Sequence, residues 1–414
     1  MIQNLEINAN QIKKMSAKEK DFRIKNLEFF KAVGFPNKRS EDWKFSDFKE
    51  IISTNFDKLD IEKISFDVGK IDLIKDFEHN YIFLVNGNLH SSNFDHEEKS
   101  KIKITSYNNN DFDYQLSKNP LVCLNHALAE NGYSLEVESD YKFKKTLNIY
   151  NFFTKDIKNK ILNNKNKIKI NENSEIHTIE YTINESKFKF VNNVYENIIL
   201  KKNSKFKNIY IQSKKNDGYF HKFLKNSFHF NSDYLNLILS SGFKFNKIDI
   251  ECDLVEQNCK CNILSGIFLN KNEHQEIKTR INHLAPNCQS YQKIKKVLNS
   301  ESKGVYQGKI YVKDIAQKTD AYQLSKALLL SDNSEFNSKP ELEIYADDVK
   351  CSHGATSASI EEDSIYYLMS RGLHRNDAIK LLVKGFLNDV IECIKSNSVR
   401  KFVESKLEEQ IDGY

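Results

Sequence analysis

Apolar positions along this chain fall first at helical, then at strand, then again at helical spacing. Over residues 9–33, Ile12, Met15, Phe22, Leu27 and Phe30 recur at mostly helical intervals, and Gly34 and Pro36 close the pattern. A polar connection follows, KRSEDWKFSDF, which holds the only tryptophan, Trp43. Residues 71–105 mix short apolar runs such as YIFLVNG with turn signals, and Asn86-Gly87 predicts a tight turn. The run LVCLNHALAENG begins just after Pro120 and stops at Asn131-Gly132, as a second helix would.

From about Leu147 to Leu330 the period becomes two. Ile168/Ile170, Phe188/Phe190, Ile198/Leu200, Ile209/Ile211, Phe228/Phe230, Leu235/Leu237/Leu239, Ile248/Ile250, Ile267/Leu269 and Ile310/Val312 are signatures of half-buried strands. No helical pattern long enough for a crossover intervenes over most of this stretch, which argues against strand–helix–strand units. A β-sandwich and a β-solenoid both remain, because no strict short repeat decides between them. Pro340 is expected to open a further extended run, ELEIYADDVKCSHGAT. Beyond it, SIEEDSIYYLMSRG predicts a short helix with acidic residues in its first turn and Gly372 as its stop. Asn376 is expected to cap a second helix with Ile379, Leu382, Val383, Phe386, Val390 and Ile394 on one side. Val399, Phe402, Val403 and Leu407 predict a third. The expected organisation is a mixed helical region over 1–140, a β core over 141–355 and a helical region over 356–414.

Composition narrows the function. The net charge of +5, from 62 basic and 57 acidic residues, gives no clustered field for nucleic acid. Lysine pairs such as Lys201-Lys202 and Lys295-Lys296 read as solvated faces. No stretch reaches the length of a membrane span, and MIQNLEINANQIKK has no apolar segment or cleavage site of a signal peptide. Seven scattered cysteines point to free thiols in a reducing compartment, so a cytoplasmic location is expected.

The densest polar constellation is Asp347-Asp348-Val349-Lys350-Cys351-Ser352-His353-Gly354. On an extended backbone Cys351 and His353 face the same side, with Cα atoms roughly 6.5–7 Å apart. Thiolate and imidazole together suit iron, zinc or an iron–sulfur cluster, but a closed site usually needs about four ligands. The rest must come from elsewhere in the fold or from a second chain; otherwise the pair is a buried cysteine and a hydrogen-bonded histidine beside a glycine turn. Of Cys252, Cys259, Cys261 and Cys288, Cys252 shares parity with Ile248, Ile250 and Leu254 and Cys261 with Cys259 and Ile263, so the cluster reads as core. His126, His177 and His283 have no partner at catalytic spacing. The nucleophile elbow, the HExxH zinc helix and the phosphate-binding loop are absent, so ATP hydrolysis is not expected of this chain. Asp347 and Asp348 could suggest a carbohydrate-cleaving pair on a solenoid, yet adjacent strand residues point to opposite faces.

The segments QKTDAYQ with LLLS, then P-x-LEI-x-ADDVKCSHGAT, then YYLMSRG closely resemble the C-terminal signature of the SufB/SufD family of iron–sulfur cluster assembly scaffolds, over roughly residues 305–390. KRSEDWKFSDF and LNHALAENGY resemble weaker upstream elements of the same family. The resemblance implies a mainly β fold, a right-handed parallel β-helix core flanked by an N-terminal α(+β) region and C-terminal helices. It implies a non-catalytic scaffold subunit that pairs with a SufB-like subunit and docks a SufC-like ATPase through residues of about 365–395. A second copy of the chain stands in for the partner when the chain is isolated. By motif position, His353 and Cys351 match interfacial residues of the SufD branch, His353 as a candidate ligand of a transient iron–sulfur cluster shared with the partner. Reduced flavin is associated with complexes of this family. Length and the C-S-H-G-A-T form favour the SufD branch over a SufB-like, sulfur-accepting subunit; a carbohydrate-active solenoid enzyme is the alternative from another class.

Overall fold

The computed structural model describes residues 15–61, 73–107, 116–212 and 216–412. The period-two region resolves into β5 (Leu147–Phe153), β6 (Ile161–Ile170), β7 (Glu175–Asn184), β8 (Phe190–Leu200), β9 (Lys205–Gln212), β10 (Asn216–Phe228), β11 (Asp233–Ser240) and β12 (Phe243–Leu254). It continues as β13 (Lys260–Leu269), β14 (His274–His283), β15 (Gln289–Leu298), β16 (Lys303–Val312), β17 (Thr319–Leu329), β18 (Glu335–Ile344) and β19 (Val349–Ser359). Upstream lie β1 (Asn80–Val85), β2 (Asn88–Asn93), β3 (Ile102–Ser106) and β4 (Tyr133–Val137). The helices are α1 (Ala17–Val33), α2 (Phe48–Asn55), α3 (Pro120–Leu128), α4 (Glu362–Ser370), α5 (Arg375–Asn388) and α6 (Asn397–Asp412).

From β4 onward each strand pairs in parallel with the strand two places along. Odd-numbered strands form one sheet and even-numbered strands the other, so the backbone coils between two facing sheets. This is a β-solenoid, and parallel pairing without crossover helices removes the sandwich reading. Each coil turns one corner through a left-handed residue: Asp140, Asn173, Asn203, Asn231, Asn258, Asn287 and Lys318 all have φ between 55° and 65°. Asparagine tolerates this conformation better than most residues. Three of the corner amides also stack in a ladder, Asn173 donating to Asp140 at 2.7 Å, Asn203 to Asn173 at 2.8 Å and Asn231 to Asn203 at 2.9 Å.

Three apolar layers result. The lumen between the sheets is filled by Ile248, Ile250, Ile263, Ile277, Ile281 and Ile294 among others. The outer face of the even-numbered sheet is covered by the N-terminal region, where Trp43 and Phe48 pack on Val191, Tyr219 and Phe245. The outer face of the odd-numbered sheet is covered by α5 and α6 through Val383, Leu387, Phe402 and Val403. The two helices thus bury Ile379, Val383, Val399, Phe402, Val403 and Leu407, while Leu382 and Phe386 are half-buried, and the buried Val390 and Ile394 lie in the connection after α5 instead of within it.

Several local expectations change. Of the helix read over 9–33, α1 starts at Ala17 under a Ser16 cap, and residues 9–14 lie outside the described residues. Asn86 and Gly87 do make the turn between β1 and β2, both at positive φ. Pro340 sits inside β18, not at its start; β18 is the last strand of its sheet, and an edge strand tolerates a residue without an N–H. The helix α5 begins after His374, so Asn376 lies in its first turn and does not cap it. Phe188 precedes β8 and is exposed. Lys295 and Lys296 are buried rather than solvated: the Lys296 ammonium donates to the Gln275 and Val305 carbonyls at 2.8 and 2.7 Å, and Lys295 bonds to Phe386 O and Asp389.

Candidate functional site

The solenoid has an open end. β18 and β19 close their respective sheets, and among the described residues each has a strand partner on one side only. Cys351 and His353 both lie on β19, in register with Ala321 and Gln323 of β17. In-register parallel neighbours share a face, and Ala321 and Gln323 are both buried. The pair therefore continues, on the last strand, columns of side chains that earlier strands direct inward. Cys351 is half-buried against Ile310, Val312, Ala321 and Ala346, whereas His353 is exposed. The two expected ligands share one face.

Beneath His353 runs a polar column that sequence reading did not single out. Gln292, Gln323 and His353 occupy successive register positions on β15, β17 and β19. The Tyr306 hydroxyl, from the facing sheet, lies 3.1 Å from Gln292 Oε1 and 3.3 Å from Gln323 Oε1. Gln323 Nε2 donates to the Glu341 carbonyl of β18 at 3.3 Å, and the Ser325 and Ser338 hydroxyls meet across the lumen at 2.7 Å. Gly308 makes the arrangement possible: a Cβ there would stand 2.2 Å from Gln323 Oε1 and 2.4 Å from the Tyr306 hydroxyl. The signal was present, since Gln323 ends the QKTDAYQ segment already quoted.

Burial pushes the Cys351 thiol up from its ordinary range, and the Asp320 carboxylate adds to this. The side chain is thus a thiol at neutral pH until a cation displaces its proton. Among the described residues no three His, Cys, Asp or Glu side chains converge on a metal-sized space. Asp347 and Asp348 lie in the exposed bend before β19, where Asp348 N donates to Gln317 Oε1 at 2.9 Å.

The other candidates resolve differently. Cys252, Cys259, Cys261 and Cys288 are fully buried in the lumen core, as their parity predicted. The Cys259 and Cys288 thiols share one acceptor, Glu256 O, at 3.0 and 3.3 Å. His126 is buried in α3, where burial and the Lys165 ammonium hold its pKa far down. Burial likewise lowers His283 to about 4. His177 lies 2.8 Å from Glu175 on the outer sheet face. Cys393, expected within a helix, sits in the turn after α5, and its thiol donates to Val390 O at 3.3 Å.

The helical flank beside the open end has an exposed apolar strip. Tyr366, Tyr367 and Met369 of α4 and Leu381 of α5 face solvent, while Ile365, Ala378 and Val383 face inward.

Known proteins supply the context. Residues 152–386, more than half of the chain, match the family described as SUF system FeS cluster assembly, SufBD core domain. The iron-sulfur cluster assembly protein SufD of Escherichia coli is 35% identical over 143 residues, 34% of this chain and 34% of that protein. An iron-sulfur cluster assembly SufBD family protein of Synechocystis is 33% identical over 169 residues, 41% and 37% of the two chains. A chloroplastic protein of Arabidopsis thaliana is 29% identical over 234 residues, 56% and 49%. The chain thus spans between a third and a half of the length of these curated relatives. With the solenoid, the matched core and the signature segments in agreement, the chain belongs to the SufBD family of iron–sulfur cluster assembly proteins.

Proposed function

We propose that this chain is a SufD-type scaffold subunit that pairs with a SufB-like subunit at its open solenoid end and contributes His353 and Cys351 to a transient iron–sulfur cluster. The observation that carries this reading is the position of both side chains on one face of β19, the strand whose outer edge has no strand partner among the described residues. An unpaired edge is a template for strand addition from another polypeptide. Two ligands on one chain, with no cluster of three or more such side chains among the described residues, fit a site completed across an interface. The cluster is cargo here, and the role of Cys351 and His353 is to hold one side of it while the partner holds the other.

The exposed strip of Tyr366, Tyr367, Met369 and Leu381 supports docking of a SufC-like ATPase, because large apolar side chains left in solvent on adjoining helices mark an interaction surface. Energy from ATP would then enter through that second chain, and this chain performs no catalysis of its own. All seven cysteines are unpaired, which fits a reducing compartment such as the cytoplasm.

The test is co-expression with SufB-type and SufC-type subunits. His353→Ala should leave the three-chain complex intact and lower the iron and sulfide bound after reconstitution. Undiminished cluster content in that variant removes His353 from the mechanism, and failure of the wild-type chains to co-purify removes the scaffold reading.

A further inference from the structure

A second site lies far from the open end, on the outer face of the odd-numbered sheet. There β7, β9 and β11 and the α5–α6 connection enclose a cavity of about 230 Å³. Its walls are aliphatic: Ile179, Ile209, Leu235, Leu237, Ile394 and Val399. Protein interiors close voids much larger than a water molecule, so an apolar space of this size beneath an ordered helical connection is a feature to explain. The scale is suggestive, because an apolar cavity of about 150 Å³ takes benzene, which puts this one at roughly nine heavy atoms.

The mouth carries two lysine ammoniums. Lys207, Lys395 and His177 line it, no Asp or Glu lines it among the described residues, and Glu175 stands beside it, 2.8 Å from His177 and within reach of the Lys207 charge. Among the described residues neither Lys207 nor Lys395 closes an ion pair through its ammonium group, and the Lys207 charge acts on the Cys393 thiol at the same cavity. The polar side chains deeper in the wall satisfy each other, Thr178 Oγ1 donating to Asn208 Oδ1 at 2.7 Å. The wall therefore asks nothing polar of an occupant, and the rim asks for an anion. Among the described residues no Phe, Tyr or Trp lines the space, which disfavours a stacked ring and favours a flexible chain.

We propose that this cavity binds a medium-chain acyl carboxylate, its tail against Ile209 and Leu235 and its carboxylate at Lys207 and Lys395. The test titrates the full chain with octanoate by isothermal calorimetry, with octan-1-ol and octyltrimethylammonium as comparators. The expected result is saturable one-to-one binding of octanoate below about 1 mM and weaker binding of both comparators. Lys207→Glu with Lys395→Glu should weaken octanoate at least about fivefold, the scale of exposed charge pairs. Leu235→Trp, which fills the space, should abolish binding. Equal binding of octan-1-ol and octanoate overturns the anion assignment, and octanoate binding retained in folded Leu235→Trp overturns the location. A second readout needs no variant: octanoate should slow alkylation of Cys393 by N-ethylmaleimide in the wild-type chain, and an unchanged rate overturns the proposal.

Discussion

Replacing Lys247 by Met should detach the N-terminal region from the solenoid. Lys247 stands on β12, fully buried, beneath the short helical turn Glu41–Trp43. Its ammonium donates to the Asp42 carbonyl at 2.9 Å, pairs with Glu276, lies 3.4 Å from Asp249 and sits 4.7 Å from the Trp43 ring centre. Burial alone would depress this amine, but Asp249 and Glu276 overcome it and raise the pKa. Glu276 is itself fully buried and accepts further bonds from the Ser46 hydroxyl and from Gln307 Nε2 at 2.7 Å. Methionine keeps most of the volume and removes the charge. Two carboxylates would then stay buried short of a cation, a loss of about 3–5 kcal/mol when one partner of a buried pair is deleted. The contact with the indole accounts for about 0.5–2 kcal/mol of that. Trp43 is the only tryptophan and is fully buried at this contact, so its emission reports the event directly. In a urea titration followed by that emission, the Lys247→Met midpoint should fall well below wild type. Lys247→Met with Glu276→Gln should recover part of the loss, since removing both charges leaves fewer ions stranded. A midpoint unchanged to within about 1 kcal/mol would refute the reasoning, as would a double variant weaker than the single one.

Burial holds His283 at about 4, below the ordinary histidine value of about 6.5, so it is neutral in the fold and protonates first in the unfolded chain. Stability should therefore fall by about 1.4 kcal/mol per pH unit for this residue between roughly pH 6.5 and 4; the acid limb of thermal melts should flatten in His283→Gln, and an equally steep limb contradicts the assignment. Both Asn231→Gly and Asn231→Ala lose the ladder bond, but only alanine adds left-handed strain, so Asn231→Ala should be less stable than Asn231→Gly in melts by about 1–2 kcal/mol; equal effects of the two would remove the conformational argument. Tyr366→Ala with Tyr367→Ala should leave melting unchanged, because both side chains are exposed, while reducing retention of a SufC-type ATPase in pull-downs; full retention moves the docking surface elsewhere.

Much of the fold was legible because burial in a half-exposed strand writes itself as alternation. The parity of Cys252, Cys259 and Cys261 with their isoleucine neighbours predicted lumen positions, and Cys351 and His353 were placed on one face for the same reason. The choice between sandwich and solenoid was not legible from side-chain alternation, since both give the same period. What distinguished them was the corner residue of each coil, an asparagine at 173, 203, 231, 258 and 287, recurring once in about thirty residues and too sparsely to register as a repeat. Lysines misled the reading. Lys295 and Lys296 are apolar stems with one cation each, and whether they are solvated depends on carbonyls and carboxylates distant in sequence. Pro340 was misplaced because proline is barred from the middle of strands paired on both sides, and whether a strand lies at a sheet edge is a tertiary fact.

The coil-by-coil construction has a consequence for how such a scaffold can vary. Every strand from β5 onward touches mainly the coils above and below it, so length is quantised in whole turns of roughly thirty residues. A turn inserted or deleted mid-stack would change the distance between the first and the terminal rung by about 4.8 Å, the spacing of neighbouring strands, and would shift the outer faces on which the N-terminal region and the helical flank are seated. The molecule thus behaves as a ruler between its two ends, and relatives that differ by one turn would need matching adjustments in whatever bridges those ends.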